Sequence, residues 1–328
     1  MRVQKIKALL DQHKAKHIVL LCHHNADPDA TYAAFAFSRL LKRLNPSLEV
    51  KIAAAQGPSK LTKSIMQSLP VELTAEPRLD EADVIILLDT NTIQQLGEWG
   101  ECIEAAGAPL VVVDHHARHP ETERLATIYV GDDTASSTCE IVYDLFKEAS
   151  IEIGQSEATA LFIGIAFDTR HFILATSATL KAVADLVDSD VNAQEVLPLI
   201  SLVMDESERV ARLKASQRAK LLNLGKWLVL LSHVNAYQAS AARALIRTGA
   251  DVAIVAGRKG GEIQTSLRSS RDFYEKTGVH LGRDIAKPLG EFLHGMGGGH
   301  AVSAGANGKG SLEAVLNRCA RLLKKRLD

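Results

Sequence analysis

Residues 17–30 read HIVLLCHHNADPDA, and this stretch decides the fold. Its first part, His17–Cys22, is a short run of aliphatic and β-branched residues behind a polar boundary. Its second part crowds two histidines and two aspartates around Pro28. A continuous apolar run of this length is how a strand covered on both faces of a parallel sheet reads. The runs Glu49–Ala53, Val84–Asp89 and Leu110–Asp114 repeat the pattern. Between them, Ala30–Leu44, Lys60–Leu69, Thr92–Ala106 and Ser137–Ala149 carry helical periodicity. Strand–helix alternation of this kind predicts an α/β fold, an open parallel sheet with helices on both faces. In such sheets ligands bind at the carboxyl ends of the strands.

Gly154–Phe167 continues as a helix that leads to Asp168, and Thr179–Leu222 reads as helical without a strong strand signal. A second αβ pattern starts near Gly225. It comprises a strand at Lys226–His233, a helix at Ala236–Thr248, and two strands, Val252–Ala256 and Gly261–Arg268, joined by GRKGG. Ser311–Leu327 closes the chain as an amphipathic helix. The expected organisation is an α/β domain over residues 1–190, a helical linker over 191–222, and a smaller α/β domain over 223–328.

Composition narrows the function. The chain has 328 residues, 46% hydrophobic and 23% charged, which suits globular domains. Its 38 basic and 39 acidic residues give a net charge of −1, which argues against a surface that coats long duplex nucleic acid. No apolar run is long enough to span a bilayer, and the charged N-terminus does not read as a secretory signal. Four scattered cysteines without a C-x-x-C pair read as reduced thiols of a cytoplasmic protein.

The informative feature is where acids and histidines fall. IVLLC runs into His23-His24-Asn25-Ala26-Asp27-Pro28-Asp29, VIILL into Asp89, VVV into Asp114-His115-His116, and LFIGIAF into Asp168. Any one of these acids has a plainer reading as a helix cap or turn former. Four cases in one sheet, two with adjacent histidines, point to an assembled site. Pro28 holds the backbone between Asp27 and Asp29 out of free rotation. Clustered carboxylates repel each other, and divalent cations remove that cost. Imidazole and carboxylate donors without thiolate suit manganese or magnesium better than structural zinc.

In order and spacing, His23-x-x-x-Asp27-x-Asp29, Asp89-Thr90, Asp114-His115-His116 and Asp168 resemble the DHH phosphoesterase superfamily. Asp132–Leu145 (DDTASSTCEIVYDL) resembles the Ser/Thr segment that follows the family's triplet. Ser266-Leu267-Arg268-Ser269 and Gly297-Gly298-Gly299-His300, with Ala304-Gly305 behind them, resemble the DHH-associated C-terminal domain. The resemblance implies two Mn²⁺ ions, with Mg²⁺ or Co²⁺ as substitutes. It implies His23, Asp27 and Asp89 as ligands of the first, and Asp29, Asp89, His115 and Asp168 as ligands of the second, with Asp89 shared. It implies that Asp114 orients a neighbour, that His116 faces the phosphate or leaving group, and that His24 has no role.

Such a pair of cations would clamp the phosphoryl oxygens and acidify the attacking water. Arg268, Gly297, Gly298, Gly299 and His300 would hold the substrate's phosphate, the glycines by letting backbone amides approach it. The resemblance thus implies a catalytic domain over residues 1–190 and a substrate-binding domain over 223–328, with the active site expected in the cleft between them. Arg258, Lys259 and Arg271 are candidates to widen the positive surface, and Tyr237, Phe273 and Tyr274 to stack a base.

Within the family, the absence of extra nucleic-acid modules or membrane segments and the low aromatic content point to the short nano-RNase or phosphoadenosine-phosphatase group. The GGGH pattern separates the chain from the inorganic pyrophosphatase branch. The expected activity is hydrolysis of short RNA or DNA oligonucleotides or linear dinucleotides to mononucleotides, with removal of the 3′-phosphate of phosphoadenosine phosphate as a further activity. The alternatives are a RecJ-type exonuclease on longer single strands and a non-catalytic nucleotide-binding or replication scaffold. The presence of every expected ligand favours an enzyme. The family's habit implies a homodimer.

Overall fold

The computed structural model describes residues 1–201 and 204–327. The chain divides into two compact units, Met1–Leu202 and Val203–Asp328.

The first unit is built on five strands: β1 (His17–Cys22), β2 (Glu49–Ala54), β3 (Val84–Leu88), β4 (Leu110–Asp114) and β5 (Ile128–Gly131). All neighbours run parallel, in the order β2-β1-β3-β4-β5. The helices are α1 (Arg2–Gln12), α2 (Pro28–Leu44), α3 (Lys60–Ile65), α4 (Glu98–Ala106), α5 (Pro120–Leu125), α6 (Thr138–Ala149), α7 (Gln155–Asp168), α8 (Ser177–Val187) and α9 (Ala193–Leu199). Strand residues alternate between two cores, as the period of two requires. Ile18, Leu20, Cys22, Val84, Ile86, Leu88, Val111 and Val113 join α1, α2, α6 and α7 on one face. Val19, Leu21, Ile85, Leu87, Leu110 and Val112 join Ile103 of α4 on the other. Both faces are therefore covered, which explains the unbroken apolar runs Ile18–Cys22, Val84–Leu88 and Leu110–Val113 of the central strands.

The stretch Thr92–Ala106, expected as one helix, is broken. A 3₁₀ turn over Ile93–Leu96 is separated from α4 by Gly97, whose φ of +57° no helix accommodates. Sequence reading also passed over β5, four residues with a half-buried pattern and no apolar run.

The second unit carries a mixed sheet of β6 (Lys220–Leu224), β7 (Trp227–His233), β8 (Val252–Lys259), β9 (Glu262–Ser269), β10 (Met296–Gly299) and β11 (Ser303–Gly308). Its order is β10-β11-β9-β8-β7-β6, with β7 and β8 parallel and the other pairs antiparallel. Its helices are α10 (Glu206–Gln217), α11 (Gln238–Arg247), α12 (Arg271–Thr277), α13 (Lys287–Phe292), reached through a π-helical turn over Leu281–Ala286, and α14 (Leu312–Leu327). The segment expected as a linker is split. Helix α9 sends Val196 into the first core, whereas α10 packs on α11 with Ala215 buried. The glycine run expected as a phosphate loop is strand β10, paired with β11 from Met296↔Asn307 to Gly299↔Ala304. Among the described residues, no helix is long and apolar enough to cross a membrane.

Candidate metal centre

In the first sheet the chain turns back at β1: β2 lies on one side, and β3, β4 and β5 on the other. Loops diverge at such a switch point and leave a crevice beyond the strand ends. His23, Asp27, Asp29, Asp89 and His115 follow strands of this sheet at that edge; Asp168, counted with them as following a run of the same sheet, instead ends helix α7 and meets His115 from there.

The loop after β1 is pinned by main-chain bonds. His24 N–H donates to the Gln95 carbonyl at 2.7 Å, Asn25 N–H to that of Ala55 at 3.2 Å, and Ala26 N–H to that of Gly57 at 3.2 Å. Asn25 takes the left-handed conformation, φ 55°, which asparagine tolerates. The His23 ring Nδ1 donates to the His24 carbonyl at 2.8 Å, because a carbonyl can only accept. That bond fixes the tautomer and leaves the Nε2 lone pair for the site. His24 turns away, its Nδ1 on the Gln95 carbonyl at 3.0 Å. Asp27 is the N-cap of α2, with Oδ1 accepting from Ala30 N–H at 3.1 Å, and the same Oδ1 lies 3.9 Å from His23 Nε2.

Asp29 is fully buried in the first turn of α2, and α6 aims its first amides at it. Thr138 N–H donates to Oδ2 at 2.7 Å and Cys139 N–H to Oδ1 at 3.0 Å. Helix N-termini stabilise negative charge in this way. Even so, burial first, and the charges of Asp168 and Asp89 next, drive the Asp29 carboxyl well above the usual carboxylate range.

Asp89 ends β3 with φ 53°, a left-handed turn-off that sends its carboxylate to the centre. Its Oδ2 is 3.7 Å from His23 Nε2, and its Oδ1 is 3.5 Å from His115 Nε2 and 3.4 Å from His116 Nδ1. Thr138 Oγ1 donates to Oδ1 at 2.9 Å. Burial works against the Asp89 charge, but the imidazoles of His116, His23 and His115 outweigh it and hold the carboxyl below its ordinary range. Asp114 is fully buried at the end of β4. Its Oδ1 accepts from His116 N–H at 2.9 Å and from His116 Nδ1–H at 2.8 Å, leaving His116 Nε2 on the half-exposed side of the ring.

Three groups of donors converge within 4.8 Å of one another: His23, Asp27 and Asp89; Asp29, His115 and Asp168; and Asp89, His115 and His116. His115 Nε2 is buried 3.1 Å from Asp168 Oδ2, without the alignment of a hydrogen bond to any described residue. A buried imidazole nitrogen facing carboxylates with nothing to bond is what a cation ligand looks like without its ion. The donor set of carboxylates and imidazoles is that of a divalent cation site. Asp89 belongs to two of the three groups, as does His115; the group of Asp29, His115 and Asp168 does not include Asp89.

The residues matched to substrate binding belong to the second unit. Arg268, Gly298 and Gly299 line a pocket of about 490 Å³, together with Gln238, Thr265 and Ser303. Gly297 and His300 do not line it. Gly297 packs where a Cβ would strike the Ala286 carbonyl, and His300 is exposed in the β10–β11 turn. Arg271 is spent on Glu275 at 2.8 Å, and Arg258 and Lys259 lie at the exposed tip of the β8–β9 hairpin. Phe273 is fully buried against Trp227 and is no free stacking platform, whereas Tyr237 is exposed, with its hydroxyl donating to Asp205, and Tyr274 packs edge-on to His280.

Sequence reading missed three things. Thr138 braces Asp29 and Asp89 at once. Gly164 admits Cys139 and Asp29 against α7, because a Cβ there would collide with Cys139 Sγ and lie 2.7 Å from Asp29 Oδ1. Arg170, His171 and Phe172, directly beyond Asp168, all take positive φ (53°, 57° and 68°) with no glycine to signal it. The turn is held by Thr169, which accepts from Phe172 N–H, and by Phe172 on Phe162, ring centroids 5.4 Å apart.

With this geometry in view, likeness to known proteins is specific. The model of the DHH family, N-terminal domain, matches residues 17–165. An uncharacterized protein of Methanocaldococcus jannaschii is 33% identical over 326 residues, 97% of this chain and 96% of the relative. A probable manganese-dependent inorganic pyrophosphatase of Exiguobacterium is 25% identical over 68% of this chain and 72% of its own length. The crystal structure of an exopolyphosphatase-related protein from Bacteroides fragilis superposes with a TM-score of 0.63 at 17% identity, covering 99% of this chain and 96% of that one, which shows a shared fold. On the matched domain, the near-full-length relative and the ligand constellation, the chain belongs to the DHH phosphoesterase family.

Proposed function

We propose that this phosphoesterase is a manganese-dependent phosphodiesterase that hydrolyses short oligonucleotides or linear dinucleotides to mononucleotides, with two cations held by His23, Asp27, Asp29, Asp89, His115 and Asp168. The observation that supports the reading is the pair of neighbouring donor groups, His23–Asp27–Asp89 and Asp29–His115–Asp168, with Asp89 Oδ1 3.5 Å from His115 Nε2. Cations bound there supply charge neutralisation at the phosphoryl oxygens and a water acidic enough to attack near neutral pH. The chain's own residues do the rest. His23 and His115 offer Nε2 to the centre. Thr138 and the N-terminal amides of α6 keep Asp29 and Asp89 in place. His116, fixed by Asp114, offers Nε2 to the substrate as a proton donor for the departing alkoxide. Arg268 grips a phosphate from the second unit.

The net charge of −1 and the few aromatics support short substrates over long single strands, which need a basic groove with stacking platforms. A second reading has one specific support: the Exiguobacterium relative bears the name of a probable inorganic pyrophosphatase, which favours a phosphoanhydride substrate. The test is a product time course with Mn²⁺ on 5′-labelled RNA and DNA of two to about twenty-four nucleotides, beside phosphoadenosine phosphate and pyrophosphate, with Asp89→Ala as control. Fast cleavage of the shortest oligonucleotides bears the reading out. Preference for long strands replaces it with a RecJ-type exonuclease, preference for pyrophosphate with a pyrophosphatase, and turnover on none of them with a binding role.

A further inference from the structure

Glu140 is a buried carboxylate that belongs to none of the donor groups. It is 6% exposed and lies in the first turn of α6, two residues beyond Thr138. Its hydrogen-bond partners among the described residues are all neutral: the Ser136 amide and hydroxyl, and the Thr179 hydroxyl. A buried carboxylate without a cation beside it costs stability. An amide or apolar side chain would serve the fold at least as well, so folding alone does not explain the charge.

Two stretches of chain meet on one oxygen of this group. From its own side, Ser136 donates twice to Oε2, through N–H at 3.0 Å and through its hydroxyl. Ser137, the N-cap of α6, accepts from Glu140 N–H at 3.1 Å. These bonds fix the turn whose Thr138 and Cys139 amides face Asp29 and whose Thr138 hydroxyl faces Asp89. From the other side, the fully buried Thr179 donates Oγ1–H to the same Oε2 at 3.0 Å. A carboxylate oxygen only accepts, so the Thr179 proton is committed and Thr176 is the donor in the 2.9 Å contact between the two threonine hydroxyls. Thr176 is the N-cap of α8 and ends the left-handed turn that starts beyond Asp168. That turn is closed by Leu174 N–H on the Thr169 carbonyl at 3.0 Å and Ala175 N–H on the Phe172 carbonyl at 3.2 Å.

We infer that Glu140 is a positioning residue of the cation centre. Its carboxylate ties the start of α6, which holds Asp29 and Asp89, to the start of α8, which anchors the turn behind Asp168. It thereby sets the separation of Asp29 and Asp168 in the group they form with His115. The charge serves this purpose, because hydrogen bonds to an ionised acceptor are roughly twice as strong as neutral ones. Ligands already held at a fixed distance bind their ion without first being ordered. The inference deepens the reading above, since it rests on a divalent cation being held by those residues.

The test measures Mn²⁺ binding to the full-length protein directly, by titration calorimetry and by the EPR signal of the free ion, beside thermal unfolding without metal. Glu140→Gln keeps the shape and a neutral acceptor, Glu140→Ala removes the tie, and Thr179→Val cuts only its α8 side. Mn²⁺ affinity should fall about 10- to 100-fold in Glu140→Ala, the range for groups that orient metal ligands. It should fall by roughly the lower end of that range in the other two variants. Glu140→Gln should unfold no lower than the parent, because a buried charge has gone. Weaker Mn²⁺ binding in a variant of undiminished stability is a result that a merely structural residue does not give. Thr179→Val should add nothing to Glu140→Ala, since both cut the same tie. If Glu140→Ala does not fold, the two milder variants decide. Parent affinity in folded Glu140→Gln and Thr179→Val overturns the inference, as does a loss of affinity that only tracks lost stability. If the parent binds Mn²⁺ but cleaves no oligonucleotide, and the variants bind it more weakly, the substrate reading fails and the positioning role stands. If the parent cleaves oligonucleotides and the variants bind Mn²⁺ as it does, the role fails and the substrate reading stands. A parent that binds no Mn²⁺ defeats both.

Discussion

The acidic centre of the first unit and the basic pocket of the second are assembled in opposite ways. In the first, most donors are braced by another group: Asp29 by two helix amides, Asp89 by Thr138, His23 by a carbonyl, and His116 by Asp114. In the second, Arg268 Nε and Nη2 and Thr265 Oγ1 have no hydrogen-bond partner among the described residues. A metal site must hold several like charges at fixed separation, so it is prebuilt at the cost of buried acids. An anion pocket facing varied substrates gains from donors that become satisfied only when the ligand arrives. Changes in the first region should therefore act on metal affinity and turnover, and changes in the second on KM.

The largest effect is expected at Asp89. Asp89→Asn keeps the volume but weakens both ligand groups. Turnover should drop by more than the roughly 10²–10³-fold that loss of one preorganised electrostatic group costs. Metal titrations of activity would check this, and full Mn²⁺-dependent turnover in the variant would sink the shared-ligand mechanism. Next comes Gly164→Ala, where the new methyl meets Cys139 and Asp29. Overpacking of this kind costs about 1–3 kcal/mol, only partly offset by the better helix propensity of alanine. A lower melting temperature together with weaker Mn²⁺ binding is the expected pair of results; a stable, fully active variant would show that α7 can move away without disturbing Asp29.

Thr138→Val tests the brace alone. It removes the hydroxyl bond to Asp89 and keeps the backbone amide on Asp29. Groups that orient metal ligands are typically worth about 10- to 100-fold in metal affinity or activity. The Mn²⁺ concentration for half-maximal activity should rise in that range while KM for substrate moves little. A change confined to KM would place Thr138 on the substrate instead.

What the sequence made legible was what a single strand end can carry. His23, Asp27 and Asp29 follow the run of β1, Asp89 that of β3 and His115 that of β4, while Asp168 ends the apolar helix α7, so all six stand out before any folding is considered. The parallel sheet was legible for the same reason. Thr138 and Gly164 were not, because their roles exist only once α2, α6 and α7 pack together. Strand β5 was hidden by its brevity, and the break at Gly97 by a helical pattern that continues across it.

The glycine run shows how one composition conceals two causes, and it yields the smallest effect. Gly297 is required by packing, since a Cβ would strike the Ala286 carbonyl, and Gly299 by its φ of +135°. Gly298 has nothing within 4 Å of a built Cβ and lines the pocket. Gly297→Ala should destabilise the second unit by about 1–3 kcal/mol, whereas Gly298→Ala should unfold within about 0.5 kcal/mol of the parent. If the backbone at Gly298 approaches the bound phosphate, that same variant should raise KM severalfold without touching kcat or the metal requirement. Denaturation and steady-state kinetics on the two variants measure packing and binding separately. Equal stability loss in both would mean the strand tolerates no side chain at either position, and the glycines would then serve the sheet rather than the ligand.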